Sequence, residues 1–148
     1  ATGDTLKAAG TAISIYAATP AFADIDKDND LDLFVGSVDG YILTFNNNGS
    51  GYDAGDPLTL STGDTLHTNN FAKPTFFDLD GDGNLDLLVG DISGSIVAYK
   101  NDGNGKFNAG DTLQADGANI EITEGFAPPA FADLDGNGKV DLYVGNKT

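Results

Sequence analysis

The chain has no cysteine, so neither disulfides nor thiolate zinc sites can organise it. It has one histidine, His67, too few for a histidine-built metal cluster. Basic residues number 7 against 23 acidic ones, a formal net charge of −16. Such a surface repels phosphate and argues against a nucleic-acid partner. No apolar run approaches the roughly 20 residues that a spanning helix requires, so no membrane insertion is expected. No leader-like segment precedes the first apolar stretch, and the chain reads as a mature protein or an excised piece. The sequon-like triplets at Asn48 and Asn146 are common by chance.

What is present fits one globular domain. The 148 residues are 40% hydrophobic, and 20 glycines imply many tight turns. The acids are clustered and periodic. Clustered carboxylates repel one another unless a cation lies among them.

The clusters belong to an internal repeat. Three segments align without gaps, starting at Pro20, Pro74 and Pro129, so the spacings are 54 and 55 residues. Each has Phe two residues after Pro (Phe22, Phe76, Phe131), then alternating acids, then an apolar stretch ending in Val-Gly (Gly36, Gly90, Gly145). A Gly-Asp signature precedes each copy, at Asp4, Asp56 and Asp111. Short apolar runs, 41–45 and 96–99, follow the first two copies.

These runs alternate and are rich in Val, Ile, Phe and Tyr, with Gly/Asn/Asp clusters between them. That pattern predicts short antiparallel strands, and no window carries a helical period. Each unit reads as about four strands, and four-stranded units at this period predict propeller blades. The expected architecture is all-β with about three blades, in units of about 1–52, 53–107 and a truncated 108–148. That is an incomplete ring, or half of a ring completed by a second copy. The N-terminal Gly-Asp segment reads as the last strand of a preceding blade.

The acidic loops are nine residues long. They run Asp24, Asp26, Asp28, Asn29, Asp30, Asp32; then Asp78, Asp80, Asp82, Gly83, Asn84, Asp86; then Asp133, Asp135, Asn137, Gly138, Lys139, Asp141. Oxygen-bearing side chains hold positions 1, 3, 5 and 9 every time. Calcium takes 6–8 oxygens, and a tight loop aims such positions at one point. Position 7 varies as Asp30, Asn84 and Lys139, and a lysine side chain is no ligand, so this position would offer its backbone carbonyl. Position 6 must turn sharply, which Gly83 and Gly138 do freely and Asn29 tolerates. The apolar residues at positions 2 and 8 are expected to face the core. An EF-hand requires glutamate at position 12, where this chain has Val35, Val89 and Val144.

With these loops, Pro-x-Phe-x-Asp-x-Asp and the Val-Gly ending, most of the chain resembles the FG-GAP, or VCBS-type, repeats. The resemblance implies propeller blades with a calcium site in the hairpin between the first two strands. Residue by residue, it implies up to three calcium ions. Their ligands would be Asp24, Asp26, Asp28, Asp30 and Asp32; Asp78, Asp80, Asp82, Asn84 and Asp86; and Asp133, Asp135, Asn137, Lys139 and Asp141. Loop three has one charge fewer at position 5 and is expected to bind most weakly. Similar repeats occur in integrin α-subunit heads, propeller lectins and large bacterial surface proteins. The implied protein is secreted or cell-surface and recognises an extracellular glycan or protein, or is a spacer in a larger surface protein.

An aromatic shortly before each repeat's Pro (Tyr16, Phe71, Phe126) is a speculative ligand-stacking position, although such residues also fill inter-blade core. Tyr41 and Tyr52 are further possible stackers. His67 stands outside any repeated Ser or Cys constellation, and no enzyme activity is expected, a polysaccharide-active domain being the lesser alternative.

Overall fold

A computed structural model describes residues 5–123, 125 and 127–145. Among them there is no helix. A two-stranded ribbon, β1 (Lys7–Ala8) and β2 (Thr11–Ala12), leads into a four-stranded antiparallel sheet. That sheet is β3 (Thr19–Ala23), β4 (Asp32–Gly36), β5 (Ile42–Phe45) and β6 (Asp56–Pro57), in sequence order. A second such sheet follows: β7 (Lys73–Phe77), β8 (Asp86–Gly90), β9 (Ile96–Tyr99) and β10 (Asp111–Thr112). Next come a ribbon, β11 (Gln114–Ala115) and β12 (Ala118–Asn119), and a hairpin, β13 (Pro129–Ala132) and β14 (Asp141–Val144). The two full sheets have the form of propeller blades, and among the described residues no ring closes.

The Gly-Asp strands β6 and β10 pair with the preceding unit's third strand, Thr44 opposite Asp56 and Ala98 opposite Asp111. The sheets therefore span 19–57 and 73–112, offset from the sequence repeat. Each chain segment supplies the outer strand of one sheet before entering the next.

Alternation builds the layers. In β4, Leu33 and Val35 face one cluster with Ala8 and Phe45, while Phe34 faces another with Leu87, Val89 and Phe107. In β8, Leu87 and Val89 look back to unit one, and Leu88 looks forward to Ile96 and Ala127. Both strands are buried throughout, as expected where each face meets another layer. Phe76 lies between Phe34 (ring centroids 4.6 Å apart) and Phe107 (6.2 Å), and Phe131 stacks on Phe77 (4.6 Å, interplanar angle 13°). Close backbone approach fixes the spacing. A Cβ on Gly36 would land on the Ala72 carbonyl, and one on Gly90 on the Ala127 carbonyl.

This layering corrects the expectation that loop positions 2 and 8 are core throughout. At position 2, Ile25 is buried and Leu79 packs against unit three, but Leu134 is 70% exposed. At position 8, Leu85 packs against unit one, but Leu31 and Val140 are exposed. Position 2 faces the following unit and position 8 the preceding one, so burial depends on a neighbour. Val140 remains exposed beside unit two, and its shorter side chain does not join that cluster.

Candidate metal centres

Each acidic loop joins the first two strands of its unit. The hairpins pair from Thr19–Gly36 to Ala23–Asp32, from Lys73–Gly90 to Phe77–Asp86, and from Pro129–Val144 to Ala132–Asp141. The position-9 aspartate is thus the first residue of the returning strand.

Position 1 organises the turn. Asp78 accepts hydrogen bonds from the backbone N–H groups of Gly81 (2.8 Å), Asp82 (3.1 Å) and Gly83 (2.9 Å). Asp133 repeats this with Gly136, Asn137 and Gly138, and Asp24 with Asp28 and Asn29. Gathering these amides on one carboxylate requires left-handed backbone at position 6, where Asn29, Gly83 and Gly138 have φ of 73°, 84° and 80°. Position 4 is left-handed too, at Lys27, Gly81 and Gly136 (63°, 77° and 72°). The glycines at 81 and 136 were the available signal, and Lys27 carries the conformation at a steric cost.

Position 5 makes a side-chain turn to position 7. The Asp30, Asn84 and Lys139 amides donate to Asp28, Asp82 and Asn137 at 2.8, 2.8 and 2.7 Å. These bonds hold the Asp82 carboxyl below its ordinary value, since the Asn84 backbone and side chain both donate to it. The position-7 side chains of Asp30 and Asn84 lie near Gly49 and Gly103 of the neighbouring turn.

Position 9 has a second task. Asp86 is 1% exposed and accepts from the Leu79 N–H (3.0 Å) and the Asn101 N–H (2.8 Å). Asp32 accepts from Asn47 N–H at 2.8 Å. Burial pushes the Asp32 carboxyl up, the Asn47 amide pulls it down, and the Asp26 and Asp28 charges add to the rise. Asn47 and Asn101 complete a clip that the sequence reading missed. Their side chains donate to the Leu31 and Leu85 carbonyls (3.3 and 3.2 Å) and accept from Gly49 and Gly103 N–H. Each stands 15 residues after its position-9 aspartate, a repeat signal in hindsight. Asp91 was missed as well. It is buried and joins Ser93 to the inter-unit Asn69.

Among the described residues, three acidic clusters that could hold a metal ion result: Asp24, Asp26 and Asp28; Asp78, Asp80 and Asp86; Asp133, Asp135 and Asp141. Within each, one oxygen per residue lies within 4.8 Å of the others. Oxygens sharing one ion at about 2.4 Å can be no farther apart than about 4.8 Å, so each cluster could hold one metal ion. The all-carboxylate donor set is that of a hard cation. The clusters differ in detail, because position 5 joins in loop one and position 9 in loops two and three. Lys100 bonds Asp80 at 2.9 Å from the surface.

The speculative aromatics are not brought together. Tyr16 is 82% exposed and lines a groove of about 350 Å³ with Ser37, Asp39 and Tyr41. Phe71 is half-buried, and Phe126 lies outside the described residues, as do Asp4 and the triplet at Asn146. Ala17, rather than Tyr16, is the repeat equivalent of Phe71. Each stands three residues before its Pro, with φ of 52° and 50°. His67 meets the Tyr41 ring edge-on at 4.6 Å, and Tyr52 donates to the Leu31 carbonyl.

Comparison with protein-family models matches the FG-GAP-like repeat at residues 24–89 and again at 78–144. Each match runs from one acidic loop through the next unit's returning strand. No curated protein matches the chain.

Proposed function

The chain belongs to the FG-GAP-like repeat family, and from that premise we propose a calcium-stabilised propeller module that recognises a glycan or protein outside the cell and catalyses nothing. The observation that carries the calcium reading is a three-carboxylate cluster at the equivalent hairpin of each unit. Asp24, Asp26 and Asp28 would hold one ion, Asp78, Asp80 and Asp86 the second, and Asp133, Asp135 and Asp141 the third. The carbonyls of Asp30, Asn84 and Lys139 would complete the sets, with Asp32, Asp82 and the Asn137 side-chain oxygen. Bound calcium supplies the positive charge that cancels repulsion among these carboxylates.

The chain's own groups do the rest. The position-1 aspartates gather the loop amides, and Asp32 and Asp86 tie the first two loops to the turn beyond the third strand. An ordered loop therefore stiffens the inter-unit packing of Ile25 and Leu79 beside it. The exposed Tyr16 and Tyr41 along one groove support a stacking surface for a sugar ring. The edge-on seat of His67 against Tyr41 favours an aromatic platform over a catalytic base.

The test is a thermal melt in EDTA and in calcium, followed by a glycan array on the calcium form. A calcium-dependent rise with glycan binding lost in Tyr16→Ala supports the reading. No response to calcium defeats it. A calcium response with no bound glycan or protein leaves a structural spacer in a larger surface protein. Turnover of an acidic polysaccharide, lost in His67→Ala, would overturn the non-enzyme assignment.

A further inference from the structure

At its fifth position loop three differs from loop two by one functional group. Asp82-Gly83 becomes Asn137-Gly138, and an Asn-Gly pair has a chemistry of its own. The following amide nitrogen can attack the side-chain carbonyl carbon, and glycine has no Cβ to obstruct the approach. The chain has three such pairs: Asn48-Gly49, Asn104-Gly105 and Asn137-Gly138.

Their surroundings separate the three. The Gly138 N–H, the attacking group, donates to the Asp133 carboxylate at 2.9 Å, which is placed to take its proton. The Asn137 side-chain oxygen, where negative charge develops, accepts from the Lys139 N–H at 2.7 Å. That bond also folds the side chain back over its own peptide. The Asn137 side-chain nitrogen, the departing group, donates to Asp135 at 2.9 Å. At the first pair, the Gly49 N–H donates instead to the neutral Asn47 side chain at 3.2 Å. At the second, the Asn104 N–H donates to Asp102, and among the described residues no carboxylate accepts the Gly105 N–H. Asn137 and Gly138 are exposed, and so are Asp28, Asn29, Asp82 and Gly83 at the same positions of units one and two. Access to water therefore belongs to the loop and not to the end of the chain.

We propose that Asn137 is a site of spontaneous deamidation in the calcium-free loop. The Gly138 nitrogen bonds to the Asn137 side-chain carbonyl carbon and gives its proton to Asp133. The bond from that carbon to Nδ2 breaks, and the leaving nitrogen takes the proton and departs as ammonia. The cyclic imide then adds water. Opening at the side-chain carbonyl leaves aspartate, the residue of loop two. Opening at the backbone carbonyl leaves isoaspartate, which lengthens the loop backbone by one carbon. Either product adds one negative charge at the third site. Bound calcium opposes the first step, because an ion shared by Asp133 and Asp135 draws both carboxylates away from these N–H groups. The deamidation rests on the hydrogen bonds of the loop, and only its suppression by calcium rests on the calcium reading.

Peptide mass spectrometry of the whole chain tests it. The chain is incubated at mildly alkaline pH in EDTA, in calcium, and in EDTA with urea, the first two below its melting temperature in EDTA. Amide loss is followed at each of the three pairs. In urea they should react at similar rates. In the folded chain in EDTA, Asn137 should react several-fold faster than Asn48 and Asn104, and calcium should slow Asn137 alone. Asn137 reacting no faster than Asn48 or Asn104 in EDTA overturns the proposal. A fast Asn137 that calcium does not slow supports the deamidation and counts against the third calcium site.

Discussion

Asp80 and Asp86 belong to one cluster, yet they should fail in different ways when replaced by alanine. Asp86 is 1% exposed and accepts two backbone N–H groups, from Leu79 and Asn101. Removing it orphans both donors. Each orphan costs about 1–3 kcal/mol, and the partly covered Leu79 amide lies at the low end, so about 3 kcal/mol is expected. For a chain of this size that lowers Tm by about 9 °C in EDTA, and by more in calcium, where the second cluster also loses a ligand. Asp80 is 38% exposed on its side chain, and its one ion pair is to the exposed Lys100. Surface pairs of this kind add little, so Asp80→Ala should melt like the parent in EDTA. In calcium it should lose one site's linkage, about 2.7 kcal/mol at 100 times the dissociation constant, or about 8 °C. The assay is circular dichroism melting of three proteins in two buffers. The reasoning is refuted if Asp80→Ala keeps the parent's full calcium shift, or if Asp86→Ala melts with the parent in EDTA.

Loop three should bind calcium most weakly. Asn137 offers a neutral oxygen where Asp28 and Asp82 offer a charged one; calorimetry should resolve two tighter sites and one weaker, and Asn137→Asp should tighten the last. Gly90→Ala should cost about 3 kcal/mol or more, because its methyl would meet the Ala127 carbonyl; an unchanged urea midpoint would disprove the close approach. The calcium-dependent gain in Tm should shrink as pH falls from about 7 to about 4. Asp32 has a raised folded value, so without metal its stabilising contribution is full below its unfolded value and lost as pH rises through the folded one. Protons compete with calcium for the same carboxylates, so the two melting curves converge at low pH; a constant gap would argue against carboxylate ligation.

Much of the loop chemistry was legible in the residues. Nine positions encode their own turn, since Asp78 reaches the Gly81, Asp82 and Gly83 amides without help from elsewhere. The left-handed bend at Asn29, Gly83 and Gly138 was legible for the same local reason. The clip through Asn47 and Asn101 was not, because those residues read as ordinary turn asparagines until the third strand brings them back to the loop. Tyr16 and Phe71 looked equivalent by residue type, whereas backbone conformation pairs Phe71 with Ala17.

The sequence by itself therefore determined the strands, their period, the acidic loops and the hard-cation character of their donors, all consequences of short-range alternation and turn geometry. Only the tertiary structure decided which apolar residues are core. Ile25 is buried and Leu134 is not, though both hold position 2. The difference is a second face supplied by another unit roughly a repeat away, and burial is a property of that pairing rather than of the residue.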